Sequence, residues 1–357
     1  MESWFVGVSL NADIITNVMT IKGKHSHFNV KFLKGYGFSV SVKDSKIILK
    51  NCYNPFSKPE VEEWFARNMP YEKIVVSGKG YISTEALSLL SENNRNLILL
   101  DTYGKPITFC NGMMDSLTAT RYRIGQYDTF RDESKRQYLT KQIIRAKKES
   151  QLKLLKKIGS SVRILSENES VASRDYFVEF AKAIPERYGF ASRNQGFTRI
   201  SKNNATDVIN ALLNYGYSVL ASEISKFVCG LGLDSYFGFM HKSHTGFQPL
   251  VYDLIEPFRW LVDYSVYKIA NNSFSGNRIK LKEIAYTREG NIVMEYSLIK
   301  RFLELLERNF VQERRYAFKH GAKTKDGLKS VQEITIARIM VQNLADFCTG
   351  KQKEFRI

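Results

Sequence analysis

The sequence predicts an α+β protein of two domains, with an N-terminal β-rich domain over residues 1–112 and an all-helical domain over residues 113–357. Two observations support this division. Before residue 112, short runs of β-branched and aromatic residues alternate with polar residues and are separated by turns. After it, apolar residues recur at helical spacing and turn clusters are rare. A chain of 357 residues is long enough to bury a core in each domain.

The β-rich domain is expected to contain several strands and one helix. Alternation and apolar runs predict strands near residues 28–32, 38–42, 47–49, 73–77, 97–100 and 107–109. A helix is predicted to begin after Ser83 or Thr84, because either can cap it and Glu85 follows in the first turn. The domain is expected to end near the Asn111-Gly112 turn.

A long basic helix is expected near the start of the helical domain. One face of this helix follows the apolar residues Leu139, Ile143, Ala146, Leu154 and Ile158. The other faces are predicted to carry nine cations: Lys135, Arg136, Lys141, Arg145, Lys147, Lys148, Lys153, Lys156 and Lys157. Two interpretations remain open, a solvated helix surface and a face that contacts a nucleic-acid backbone.

The net charge favours a polyanionic partner. Lys and Arg number 53 against 36 Asp and Glu, which gives +17 and a pI near 9.5. Such a surplus attracts phosphate, so nucleic acid is the leading candidate, although a basic proteome or an acidic protein partner would explain it too. Charge alone indicates neither a base sequence nor a reaction.

Cysteines and apolar segments bear on the compartment. Four cysteines lie far apart without CxxC spacing, which argues against a zinc site or a disulfide framework. The N-terminus does not resemble a signal peptide, and no apolar run approaches the roughly 20 residues that span a bilayer. We therefore expect a cytoplasmic protein with no membrane segment.

The segment from Gly238 to Arg259 concentrates chemistry in an apolar setting. It holds His241, Asp253, Glu256 and Arg259. On a helix the two carboxylates share a face, and because they repel each other they need a cation, a shared proton or water. Pro249 suits a first helical position, and Pro257 should interrupt the helix after the second carboxylate. The alternatives are a satisfied core histidine and a solvated helix edge with Glu256 paired to Arg259.

A third carboxylate, Glu169, opens a segment with small residues that allow close helix contact, although such a residue is more often a surface or cap residue. A metal held by Glu169, His241 and Glu256 would leave positions open for a phosphate oxygen and a nucleophile. Carboxylates suit Mg²⁺, and a histidine nitrogen shifts the preference toward Mn²⁺. Asp253 would serve either as a further ligand or as the group that orients His241.

The order of these motifs resembles a known family, the CRISPR-associated endonuclease/integrase of spacer acquisition. The resemblance covers most of the chain. It rests on five segments in order, at residues 82–104, 169–177, 210–217, 232–241 and 249–259. Each segment is weak alone, but five in the same order are a strong signal.

The resemblance implies a fold and an activity. The fold is a β-rich domain that mediates dimerisation, followed by an all-α catalytic domain. Metal ligands would be Glu169, His241 and Glu256, with Asp253 as the additional motif carboxylate and His244 as a possible substitute for His241. With Mg²⁺ or Mn²⁺, a 3′-hydroxyl of a short DNA fragment would attack a phosphodiester of the CRISPR repeat, a step in antiviral defence.

The resemblance also implies partners. They are DNA, a second copy of the chain, and a small ferredoxin-like CRISPR-associated protein in a hetero-oligomer. Arg174, Lys242 and Arg259 are expected to contact nucleic acid. Two rival functions stay open: a transposon-borne integrase with the same chemistry, and a catalytically silent DNA-binding scaffold.

Overall fold

In a computed structural model of the chain, the structure describes residues 30–51, 58–71, 73–93, 95–100, 106–110, 117–193, 205, 207–241, 248–271, 278–286, 292–317 and 327–357. The predicted domain boundary at residue 112 lies outside these ranges, so its position stays a prediction. In the described ranges, no helix is both long and apolar enough to cross a membrane. In these ranges, Cys110, Cys229 and Cys348 do not form disulfide bonds.

The N-terminal part of the chain forms a six-stranded mixed sheet in the order β3-β2-β1-β4-β5-β6. The strands are β1 (Val30–Lys43), β2 (Lys46–Asn51), β3 (Glu60–Trp64), β4 (Lys73–Ile82), β5 (Asn96–Leu100) and β6 (Pro106–Cys110). Strand β4 runs parallel to β1 and β5, while the other neighbouring pairs are antiparallel. The predicted strand-rich region is confirmed.

Helix α1 (Thr84–Glu92) connects the parallel strands β4 and β5. It begins where the sequence predicts, because the Ser83 hydroxyl accepts a hydrogen bond from the Ala86 amide. Ala86 and Leu90 of this helix are buried against the sheet core. Strand β3 escaped prediction because its sequence, Glu-Val-Glu-Glu-Trp, is dominated by carboxylates. One of them, Glu62, pairs with Lys31 of β1.

The C-terminal part of the chain is mainly helical. Its helices are α2 (Leu117–Arg131), α3 (Glu133–Lys157), α4 (Glu169–Lys182), α5 (Val208–Leu231), α6 (Pro249–Ile255), α7 (Arg259–Ala270), α8 (Tyr296–Phe310) and α9 (Glu333–Cys348). Two hairpins interrupt them: β7 (Ile284–Tyr286) with β8 (Ile292–Met294), and β9 (Glu313–Ala317) with β10 (Leu328–Gln332). Their strands are only three or five residues long, and helical periodicity does not detect them.

The break between α6 and α7 is where the prolines predict it. Pro249 is the first residue of α6, and a 3₁₀ turn, Glu256–Phe258, separates the two helices. Pro257 has no amide hydrogen and its ring crowds the preceding turn, so the α-helix cannot run through it. The turn presents Glu256 at the junction, where it packs against α3.

A buried carboxylate links three helices in the helical core. Asp263 of α7 is about 1% exposed and accepts hydrogen bonds from Tyr176 of α4 (2.6 Å) and Tyr217 of α5 (2.5 Å). Burial raises the pKa of Asp263 to about 6, although the two hydroxyl bonds and nearby arginines oppose that rise. The Asp263 carboxyl therefore links α4, α5 and α7. Above about pH 6, where it is ionised, its burial lowers the stability of the fold.

Gly216 tests the close packing of α5 against α7 and α8. A Cβ at this position would collide with Val262 and approach the Phe302 ring to 2.9 Å, and both side chains are fully buried. We expect Gly216→Ala to lower the free energy of unfolding by about 1–3 kcal/mol, measured by urea denaturation. Ser218→Ala, on the exposed part of the same helix, should be near neutral. Helix propensity alone predicts that Gly216→Ala is more stable than wild type, and that result would contradict this packing.

Asp263 should make stability depend on pH. Its pKa in the folded protein lies above its ordinary value of 3.8, so the folded state binds this proton more tightly than the unfolded state. Its contribution is present below about pH 4 and is lost as pH rises through about 6. Relative to Asp263→Asn, the wild-type free energy of unfolding should fall by up to about 3 kcal/mol across this range. If the free energies of unfolding of the two proteins change with pH in parallel, this account is wrong.

Candidate active site

Glu169 lies at the first position of helix α4. The Asn168 side chain caps this helix by accepting hydrogen bonds from the amides of Ser170 and Val171. A carboxylate in the first turn is favoured by the helix dipole. The Glu169 side chain is about 41% exposed, so this carboxylate faces both solvent and the protein interior.

Glu256 is the buried counterpart of Glu169. Its side chain is 3% exposed and contacts two cations, one on each carboxylate oxygen. Oε1 lies 3.0 Å from Nη2 of Arg259, and Oε2 lies 2.8 Å from Nζ of Lys147. Burial alone would raise the pKa of Glu256, but the charges of Arg259 and Lys147 outweigh it and hold the pKa below its usual range. The carboxylate is therefore an anion at neutral pH.

Lys147 joins the two carboxylates. Its Nζ lies 2.8 Å from Glu169 Oε1 as well as 2.8 Å from Glu256 Oε2, and its side chain is 9% exposed. The expectation that Lys147 belongs to a solvated or DNA-contacting face is wrong. Lys147 continues the buried stripe of α3 that contains Leu139, Ile143 and Gln151.

His241 and Asp253 form the second half of the site. Asp253 of α6 is fully buried and accepts backbone hydrogen bonds from the amides of Phe239, Met240 and His241 at 2.8–3.0 Å. Its Oδ1 also lies 2.5 Å from His241 Nδ1. This contact uses Nδ1, so the nitrogen that His241 would present to a ligand is Nε2. The geometry favours an orienting role for Asp253.

The loop that carries His241 is held at its other end by helix α2. The Gln126 side chain donates to the carbonyls of Asp234 and Phe237 and accepts from the Asp234 amide. Gly238 then passes close to α6, where a Cβ would lie 2.7 Å from both Asp253 Oδ2 and Pro249 Cβ. Only glycine fits this crossing, so Gly238 lets Asp253 reach the loop amides.

A second layer supports Arg259. Its guanidinium stacks on the Tyr217 ring at 4.6 Å, and the Tyr217 hydroxyl donates to the buried carboxylate of Asp263. Arg193 stacks on the same Tyr217 ring at 5.4 Å and donates hydrogen bonds to Asn210 and Asn214 of α5. Residues 210–217 of α5, through Tyr217, thus position Arg259, the guanidinium that pairs with Glu256.

The site offers the donor types of a divalent-metal centre. Glu256 Oε2 is buried, and its contact with Lys147 is ionic without hydrogen-bond alignment, so this oxygen retains an unused acceptor position. Across the described ranges, no three His, Cys, Asp or Glu side chains are arranged to hold a metal ion. The cation between Glu169 and Glu256 is the ammonium of Lys147. The oxygen donors of Glu169 and Glu256 and the nitrogen donor of His241 are types that a divalent metal takes, while in this structure the Lys147 ammonium balances the carboxylates.

The alternative of a solvated helix edge is excluded, because Asp253 and Glu256 are both buried. The predicted pairing of Glu256 with Arg259 is present. Among the residues predicted to contact nucleic acid, Arg174 is exposed on α4 and Arg259 is engaged inside the protein. Lys242 lies outside the described residues, as does His244, so their roles stay predictions.

Sequence reasoning missed two contributors to the site, Lys147 and Asp263, and it included Gly238 in the His241 segment without assigning it a role. A signal for the first was available, because positions 139, 143, 147 and 151 are four residues apart and place one lysine in an apolar stripe. Asp263 gave no local signal, since its role depends on Tyr176 and Tyr217, which are distant in sequence.

Comparison with known proteins gives a consistent result. The family described as CRISPR associated protein Cas1 matches residues 32–165 and 159–308. The CRISPR-associated protein Cas1 3 of Methanobrevibacter ruminantium is 28% identical over 282 residues, which cover 69% of this chain and 79% of the relative. The CRISPR-associated endonuclease Cas1 1 of Archaeoglobus fulgidus is 27% identical over 262 residues, covering 63% of this chain and 73% of the relative.

Solved structures share the fold. A casposase bound to integration product superimposes with a TM-score of 0.66 at 23% identity, covering 91% of this chain and 97% of that one. A Cas1 protein from Thermotoga maritima superimposes with a TM-score of 0.61 at 15% identity, covering 92% and 99%. With the matched family spanning most of its length, and with the motif residues gathered around Glu256, this chain belongs to the Cas1 family of CRISPR-associated proteins.

Proposed function

We propose that this protein is a metal-dependent DNA endonuclease and integrase that inserts short DNA fragments into a CRISPR array. The carrying observation is that Glu169 and Glu256 converge on one cation. Relatives of this chain are named CRISPR-associated endonucleases. The transposon-borne alternative is not favoured, because the matched family and the curated relatives are CRISPR-associated.

Glu169, His241 and Glu256 would hold Mg²⁺ or Mn²⁺. Such an ion, when bound, polarises a phosphodiester and lowers the pKa of an attacking 3′-hydroxyl. Glu256 supplies an anion in a fixed position, because its Oε1 is held by Arg259 and the side chain is buried away from water. Glu169 and His241 are partly exposed, so substrate would approach from their side.

Asp253 acts through His241 and the loop. Three backbone donors and the imidazole converge on one carboxylate, so the ring orientation is set before substrate arrives. A preset orientation avoids reorganisation during the reaction, which is how charged sites accelerate phosphoryl transfer.

DNA binding would use the exposed cations of α3. Seven of its basic side chains are exposed: Lys135, Arg136, Lys141, Arg145, Lys153, Lys156 and Lys157. They share a helix with Lys147, so a phosphate backbone drawn to this surface lies near the carboxylates. We further propose a homodimer, assembled through the β-rich domain, that acts with a small ferredoxin-like partner. Support for a partner protein is the likeness in fold to a chain of a solved Cas6-RT-Cas1–Cas2 complex, at a TM-score of 0.62 and 18% identity, over 94% of this chain and 36% of that one.

His241→Ala should abolish strand transfer of a short duplex into a repeat-containing target, because a metal ligand is lost. Fold, measured by circular dichroism, and DNA affinity should be largely retained, which separates this site from a silent DNA-binding scaffold. His244→Ala is the matched control and should keep activity. Full activity of His241→Ala with loss in His244→Ala would show that the assignment is wrong.

Asp253→Asn should lower strand transfer by about 10–100-fold, the usual effect of removing a partner that orients a metal ligand. The amide group places an N–H against the loop donors, so Phe239, Met240 and His241 lose part of their hydrogen bonding. Hydrogen exchange of these three amides should therefore accelerate, while exchange in α5 stays unchanged. Unaltered exchange together with unaltered activity would refute the orienting role.

A further inference from the structure

Lys147 stands out among the cations of α3 because it is buried. Its neighbours in sequence are exposed or half-exposed, whereas the residue as a whole is about 7% exposed. Buried lysines are rare unless they are paired, since desolvating an ammonium is costly. The pairing here joins two carboxylates that are 87 positions apart in sequence, Glu169 and Glu256.

The ammonium contacts one oxygen of each carboxylate. It lies 2.8 Å from Glu169 Oε1 and 2.8 Å from Glu256 Oε2. Arg259 occupies the other oxygen of Glu256 at 3.0 Å, so that oxygen is engaged by a guanidinium from the opposite side. One oxygen of each carboxylate is therefore directed at a single cationic position, and a lysine fills it.

We propose that Lys147 is a built-in counter-ion that holds the carboxylates together in the metal-free protein and that a divalent metal must displace. This inference rests on the proposed function. The ammonium and a divalent ion cannot both contact the same two oxygens, because their like charges repel at such separations. After displacement Arg259 still contacts Oε1 of Glu256, so the side chain stays in place. Lys147 is thus a positioning residue, and its displacement sets the metal affinity.

The experiment compares Lys147→Met with Lys148→Met. Methionine keeps the length of the side chain without its charge. Lys148 is the matched control, because it is the next residue of the same helix and donates to the backbone carbonyl of Glu167 and not to a carboxylate. Mn²⁺ binding to full-length protein without DNA is measured by loss of the free-ion electron paramagnetic resonance signal. Thermal unfolding is recorded in EDTA and in Mn²⁺.

We expect Lys147→Met to bind Mn²⁺ about tenfold more tightly than wild type, because no charge-assisted contact has to be broken. In EDTA it should unfold at a lower temperature than wild type, and Mn²⁺ should raise that temperature more than in wild type. Lys148→Met should match wild type in each measurement. Equal or weaker Mn²⁺ binding by Lys147→Met would overturn the inference.

His241→Ala separates this inference from the proposed function. If wild type binds Mn²⁺ and His241→Ala does not, the metal site stands whatever Lys147→Met does. If neither wild type nor Lys147→Met binds Mn²⁺, the proposed metal site is wrong and the counter-ion inference is wrong with it.

Wild-type protein provides a second measurement in case Lys147→Met does not fold. Lysines are acetylated briefly with an N-hydroxysuccinimide ester and quantified by mass spectrometry. Lys147 should be protected without metal, and its labelling should rise several-fold in saturating Mn²⁺, while that of Lys148 stays constant. If Lys147 stays protected in the Mn²⁺-loaded protein, the metal does not displace the ammonium and the inference is wrong.

Discussion

Charge compensation of the buried carboxylate Glu256 is the constraint on which the rest of this site depends. An isolated buried anion would take up a proton or unfold its surroundings. Two cations prevent that here, Arg259 on one oxygen and Lys147 on the other. Because Lys147 also contacts Glu169, the ammonium that compensates Glu256 holds the two carboxylates close to each other.

The helical fold assembles this cluster from four separate parts of the chain. Helix α3 brings Lys147, the capped start of α4 brings Glu169, and the proline-broken α6–α7 junction brings Glu256 and Arg259. The His241 loop joins them through Asp253. A supporting layer then holds Arg259 through Tyr217 and Asp263. The geometry of the candidate site is therefore a result of core packing more than of loop conformation.

Helix caps and helix breaks were predictable from single residues in the sequence. The Ser83 cap, the helix start at Pro249 and the break at Pro257 needed only the backbone chemistry of those residues. Residue chemistry suggested a metal site, and the family resemblance added the expected reaction, because five motifs in order carry information that no single motif has. The strand-rich part and the helical part followed from periodicity, apart from the two hairpins and the acidic strand β3.

Long-range pairing was not predictable in the same way. Whether a lysine on a basic helix meets solvent or a carboxylate depends on the chain that packs over it, and Lys147 could be recognised only from its place in an apolar stripe. The burial of Asp263 and the crossing at Gly238 likewise depend on partners tens of residues away or on another helix.

The most direct test of the central claim is anomalous diffraction at the manganese edge from crystals of the full-length protein soaked in Mn²⁺. The account predicts one strong peak within coordination distance of Glu169 Oε1, Glu256 Oε2 and His241 Nε2. The Lys147 side chain should have withdrawn, while Arg259 stays on Glu256. A peak elsewhere, or a Lys147 ammonium still bridging the two carboxylates in the metal-bound protein, would contradict it.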